Sequence, residues 1–86
     1  MMSEKIDIVV KFFAMVRQTV GKRKMDLDIK KGTKVNELVE DIIEDYPELD
    51  NIRDILIVSV NKKTAADDQI LEDGDEVAIM PPVTGG

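Results

Sequence analysis

Thr33-Lys34-Val35-Asn36-Glu37-Leu38-Val39-Glu40-Asp41-Ile42-Ile43-Glu44-Asp45-Tyr46-Pro47 reads as one amphipathic helix. Val35, Leu38, Val39, Ile42, Ile43 and Tyr46 recur at helical spacing, Thr33 stands where a capping residue belongs, and Pro47 ends the run. The opposite side carries Glu37, Glu40, Asp41, Glu44 and Asp45 and reads as a solvated face. Carboxylates suit the start of a helix and not its end, so Glu44 and Asp45 are unfavourably placed. A single apolar stripe of this kind needs a sheet to cover it. The fold class therefore turns on what flanks the helix.

Strands flank it on both sides. From Lys5 to Phe13 the pattern alternates, with Ile6, Ile8, Val10 and Phe12 on one face. Ala14–Val20 reads as a short helical connection that Gly21 stops. Lys24–Lys30 alternates again, Met25, Leu27 and Ile29 standing opposite Asp26, Asp28 and Lys30, which marks a half-exposed strand. Lys31-Gly32 is a turn signal. After the helix, Ile55–Val60 is a nearly continuous apolar run, a strand with both faces at least partly covered. Asn61-Lys62-Lys63 turns the chain, and a loop with one short strand leads to Glu76–Met80, the last strand, with Val77 and Ile79 inward. Two strands, one helix and further strands make an α+β domain with a mixed sheet. Residues 1–80 are expected to form that domain, and residues 81–86 a flexible tail.

Composition narrows the function. At 86 residues the chain is one domain, and a chain this short buries only about 60–65% of its unfolded surface. There is no apolar run long enough to cross a membrane and no secretory signal pattern in Met1-Met2-Ser3-Glu4-Lys5. A cytoplasmic location is the expectation. The formal charge of −6 argues against nucleic acid as a partner. It fits a protein partner with a basic docking surface, or simply solubility. Histidine and cysteine are both absent, which removes the commonest general base, the thiolate nucleophile and the usual transition-metal ligands. The acidic cluster Asp67, Asp68, Glu72, Asp73, Asp75 and Glu76 lacks the ligand spacing of a calcium loop, and Asp73-Gly74 reads as a turn. No metal and no tightly bound cofactor are expected, and the chain is not expected to catalyse a reaction alone.

The chemistry points instead to the end of the chain, Pro81-Pro82-Val83-Thr84-Gly85-Gly86. The prolines stop a strand and project the last four residues outward. Glycine has no Cβ and can pass through a channel closed to other residues. Six extended residues span roughly 20 Å, enough to reach a partner's buried site. Alternation supplies a candidate docking face: if Ile8, Val10, Phe12, Val77 and Ile79 face the helix, then Val9, Phe13, Ala78 and Met80 point the other way, beside the tail stem. They form an exposed apolar patch unless loops cover that face.

Three features together resemble the sulfur carrier subunits of molybdopterin synthase, a ubiquitin-like β-grasp family: the strand–strand–helix–strand order, the segment Leu71-Glu72-Asp73-Gly74-Asp75-Glu76-Val77-Ala78, and the tail. Phe12-Phe13-Ala14 with Arg17 and Gly21 is similar to that family's first strand and turn, and Lys31-Gly32-Thr33-Lys34-Val35 to its helix entry. Ile79 and Met80 stand where the family often has aromatic residues. The resemblance implies that an activating enzyme uses ATP to adenylate the Gly86 carboxylate. A sulfur donor enzyme then leaves a Gly86 thiocarboxylate, and the carrier threads its tail into the large synthase subunit. There the sulfur passes to cyclic pyranopterin monophosphate. Two other outcomes of the same terminal chemistry are a sulfur carrier for thiamine thiazole synthesis and a ubiquitin-like modifier joined through Gly86 to lysines of other proteins.

Overall fold

A computed structural model describes residues 4–82. Strand β1 (Lys5–Phe12) is followed by helix α1 (Ala14–Val20), strand β2 (Lys24–Lys30), helix α2 (Val35–Asp45), a 3-10 segment (Pro47–Ile55), and strands β3 (Ile57–Val60), β4 (Lys63–Thr64) and β5 (Glu76–Met80). The sheet order is β2-β1-β5-β3-β4. β1 and β5 run parallel, and the other pairs are antiparallel. Two antiparallel strands can be joined by a tight turn, but a parallel pair needs a long crossover. Everything from β2 to β4 serves as that crossover. It brings the first and last strands side by side in the interior of the sheet, the β-grasp arrangement.

The core follows the alternation of the strands. Ile6, Ile8, Val10 and Phe12 of β1 and Val77 and Ile79 of β5 are buried with Val35, Leu38, Ile42 and Ile43 of α2. Val10 and Val77 face each other across the parallel pair and are both 0% exposed. α1 adds Val16 and Val20 and ends at Gly21, whose φ of 81° is the left-handed cap that glycine tolerates. Among the described residues no polar side chain is buried.

Three local expectations need correction. Thr33 does not cap α2: its hydroxyl donates to the Lys30 carbonyl at 2.6 Å and closes the preceding turn. Lys34 occupies the capping position, and its ammonium cannot accept a hydrogen bond. Instead the Val35 and Asn36 amides donate to the Gln69 and Asp67 carbonyls, both at 2.9 Å, and Glu37 accepts from the Lys34 amide at 2.9 Å. The helix start is thus capped from a loop some thirty residues ahead, at a distance no local pattern encodes. The apolar run from Ile55 also starts its strand late: Ile55 ends the 3-10 segment and is exposed, and the ladder begins at Ile57. That 3-10 segment, which inserts Leu49 into the core, has no counterpart among the elements expected from sequence.

Candidate functional site

The tail stem leaves from the centre of the sheet. β5 lies between β1 and β3, Met80 pairs with Ile57 of β3, and Pro81 and Pro82 come next, half-buried. The Phe13 amide donates to the Ile79 carbonyl at 3.2 Å, one bond past the end of β1. The chain then turns at Ala14, whose φ of 53° is unusual for a residue with a side chain. That turn fixes Phe13 beside the stem and leaves it 44% exposed. Val83, Thr84, Gly85 and Gly86, the rest of the candidate tail, lie outside the described residues.

Phe13, Ala78 and Met80 line one open cleft of roughly 440 Å³ on the face of the sheet away from α2. Val9 does not join them. It lies on the same face nearer the opposite end, between Asp26 and Glu76 in register, and lines a separate hollow with Asp7, Asp26 and Asp28. Sequence reasoning missed Ile57 and Ser59, which complete the cleft from β3 as direct partners of Met80 and Ala78. The signal was present: once Val58 and Val60 are inward, Ile57 must point out. Lys11 and Glu76 form an ion pair of 3.1 Å at the cleft's lower margin, a half-exposed contact worth little to stability.

The acidic cluster has structural employment. Asp73 accepts the Asp7 amide at 2.8 Å, and Asp75 accepts from the Glu72 amide and from Asn61, at 2.8 and 2.9 Å. Gly74 takes φ of 86° in the turn between them. These bonds tie the last turn to β1 and to the β3–β4 turn, and so set the position of β5. The Asp7 carboxyl is raised above its ordinary value, first by its contact with Asp28 and less by Asp73 and Asp26 nearby. It sits at the far end of the face from the stem. Among the described residues, no helix is long and apolar enough to cross a membrane.

Comparison with known proteins agrees with this arrangement. The ThiS family profile matches residues 10–86. The molybdopterin synthase sulfur carrier subunit of Caenorhabditis elegans is 35% identical over 94% of this chain and 99% of its own length. A Pyrococcus furiosus structure assigned as subunit 1 of a molybdopterin converting factor superposes with a TM-score of 0.83, at 28% identity over 91% of this chain and 99% of that one. The small archaeal modifier protein 1 of Haloferax volcanii gives 0.79 at 25% identity, over 91% and 99%. The shared stretch runs from the core strand β1 through the turn before β5 to the terminal glycines, and on that basis the chain belongs to the ThiS family, alongside the sulfur carrier subunits of molybdopterin synthase.

Proposed function

We propose that this protein is the sulfur carrier subunit of a molybdopterin synthase, with the Gly86 carboxylate as its reactive group. The observation that carries the reading is a Pro-Pro-Val-Thr-Gly-Gly terminus running on from the central strand of a β-grasp sheet. A terminal carboxylate is ionised at neutral pH, with an ordinary pKa of about 3.3–3.7, and has no good leaving group. Adenylation by an ATP-dependent activating enzyme supplies one. A sulfur donor then displaces AMP and leaves the thiocarboxylate, which the large subunit receives through the threaded tail and directs to cyclic pyranopterin monophosphate. Phe13, Ala78 and Met80, with Ile57, form the docking surface beside the stem. Val9, which lines a separate hollow, is not part of it.

The absence of cysteine makes the test clean. The chain is produced with its activating machinery and ATP, treated with a thiol-selective alkylating reagent, and fragmented to map the label. Label confined to Gly86 supports the reading. No label, where the same machinery loads another carrier, overturns it.

A second reading, conjugation of Gly86 to lysines of other proteins, is favoured by the likeness to the small archaeal modifier. Isopeptide-linked partners in cell extract distinguish it from a tight complex with one pterin-binding subunit.

A further inference from the structure

Among the described residues the sheet ends at β4 on one side and at β2 on the other. β4 has two residues, whereas β2 has seven and runs alongside nearly all of β1. The Phe12 amide donates to the Arg23 carbonyl and the Lys31 amide to the Glu4 carbonyl, both at 2.9 Å. In an antiparallel ladder this phase turns the backbone groups of odd-numbered β2 residues toward β1. Those of Lys24, Asp26 and Asp28, with the Lys30 amide, point to the open side. Such a row is a template for another strand.

Both faces of that edge bear on what would fit it. On the inner face Met25, Leu27 and Ile29 are only half-buried at the margin of the core. Ile29 opens into a cleft of roughly 750 Å³ between the end of β2 and α2. An added strand with apolar inward residues would cover that margin. On the outer face the row reads Lys24, Asp26, Asp28, Lys30, and β1 sets like charge against it: Lys11 beside Lys24, Asp7 beside Asp28, Lys5 beside Lys30. Like charges directly opposite are destabilising, and complementary charge from the open side would relieve them. A second copy supplies it only over a shortened ladder. Fully overlapped antiparallel pairing of two β2 strands sets Lys24 against Lys30 and Asp26 against Asp28, and in-register parallel pairing sets each residue against itself. A slip of two residues pairs Asp26 with Lys30 but shortens the ladder and opposes Asp28 to Asp28.

We propose that the β2 edge is a strand-addition site for an extended segment of another protein whose alternate residues run acidic, basic, basic, acidic, with apolar or β-branched residues between. The row is the same in both directions, so the segment can add parallel or antiparallel.

The test uses the intact isotopically labelled protein and two short peptides, Glu-Thr-Lys-Val-Lys-Thr-Glu and its charge-inverted form Lys-Thr-Glu-Val-Glu-Thr-Lys. The first should shift the amide signals of Lys24, Asp26 and Asp28, slow their hydrogen exchange, and bind about tenfold or more tightly than the second, since each opposed pair changes sign. In Asp26→Asn/Asp28→Asn, which keeps side-chain shape, the preference should fall to about a third of its wild-type value, because the pairs made by Lys24 and Lys30 remain. Equal binding of the two peptides, binding of neither at millimolar concentration, shifts confined to the Phe13 and Met80 face, or a wild-type chain that dimerises through β2 would each overturn the proposal.

Discussion

Two side chains on the surface bear strain that single substitutions can read. Asn61 and Lys62, the central pair of the two-residue β3–β4 turn, have φ of 52° and 73°. Positive φ at both positions marks the hairpin turn whose twist suits the strands, and Asn-Gly is its favoured sequence. Asn61 belongs there: it tolerates the conformation, donates to Asp75 and accepts from the Glu76 amide. Lys62 has no such compensation. Lys62→Gly should stabilise the fold by about 0.5–1 kcal/mol, whereas Asn61→Ala should cost about 1–2 kcal/mol, both measured by urea unfolding. Asp7 is the second case. Unfolded, it titrates at its ordinary value of 3.8; folded, its value is higher because Asp28 stands beside it. Below 3.8 both states hold the proton and the site is neutral to stability. As pH rises through the folded value, the folded state must lose that proton against its neighbours, so stability falls. Asp7→Asn should melt higher than wild type at pH 7 and no differently at pH 3. It leaves intact the bond to Asp73, which the backbone amide makes.

At the scale of elements, α2 shows what a sequence can and cannot announce. Its existence and buried face were legible in the spacing of Val35, Leu38, Ile42 and Ile43, and Pro47 marked its end. The alternation of β1, β2 and β5 likewise gave their inward residues, because period-two patterning is a local property. The cap was not legible, since the carbonyls of Asp67 and Gln69 reach α2 only after the chain has folded back. Nor was the segment 47–55, where a 3-10 path inserts one leucine and leaves too weak a pattern to read. The same division holds at the tail: Phe13, Ala78 and Met80 could be grouped by alternation, but the separation of Val9 depends on strand register. One side chain does help α2 begin. Glu37 accepts the Lys34 amide and lies in the first turn, where negative charge is favoured. Glu37→Ala should lower stability by about 0.5–1.5 kcal/mol, and Glu37→Gln by less, because the amide oxygen still accepts. Equal losses in denaturant melts would show that charge, not the bond, matters.

For the molecule as a whole, the proposed function has the sheet separate the work of folding from the work of docking by direction alone. Phe12 and Phe13 are neighbours in sequence and point to opposite faces. Phe12 is 1% exposed and the one aromatic ring fully within the core. Phe13 stands at the capping position of α1, in extended conformation, outside. A domain of this length has a total stability of about 4–13 kcal/mol. Phe12→Ala should remove about 3–5 kcal/mol of it through lost contacts and the cavity left behind, enough to bring the melt near working temperature without touching the tail. Phe13→Asp should change stability by no more than about 0.5 kcal/mol, because aspartate is itself a good capping residue and the ring it replaces is half in water. On the proposed function it should nonetheless weaken association with a large synthase subunit about tenfold or more, since a carboxylate would be buried in an apolar contact. Urea unfolding and titration calorimetry on the same two proteins separate the effects. If Phe13→Asp unfolds like Phe12→Ala, the assignment of faces at the end of β1 is wrong; if it folds and binds normally, the docking surface lies elsewhere on the sheet.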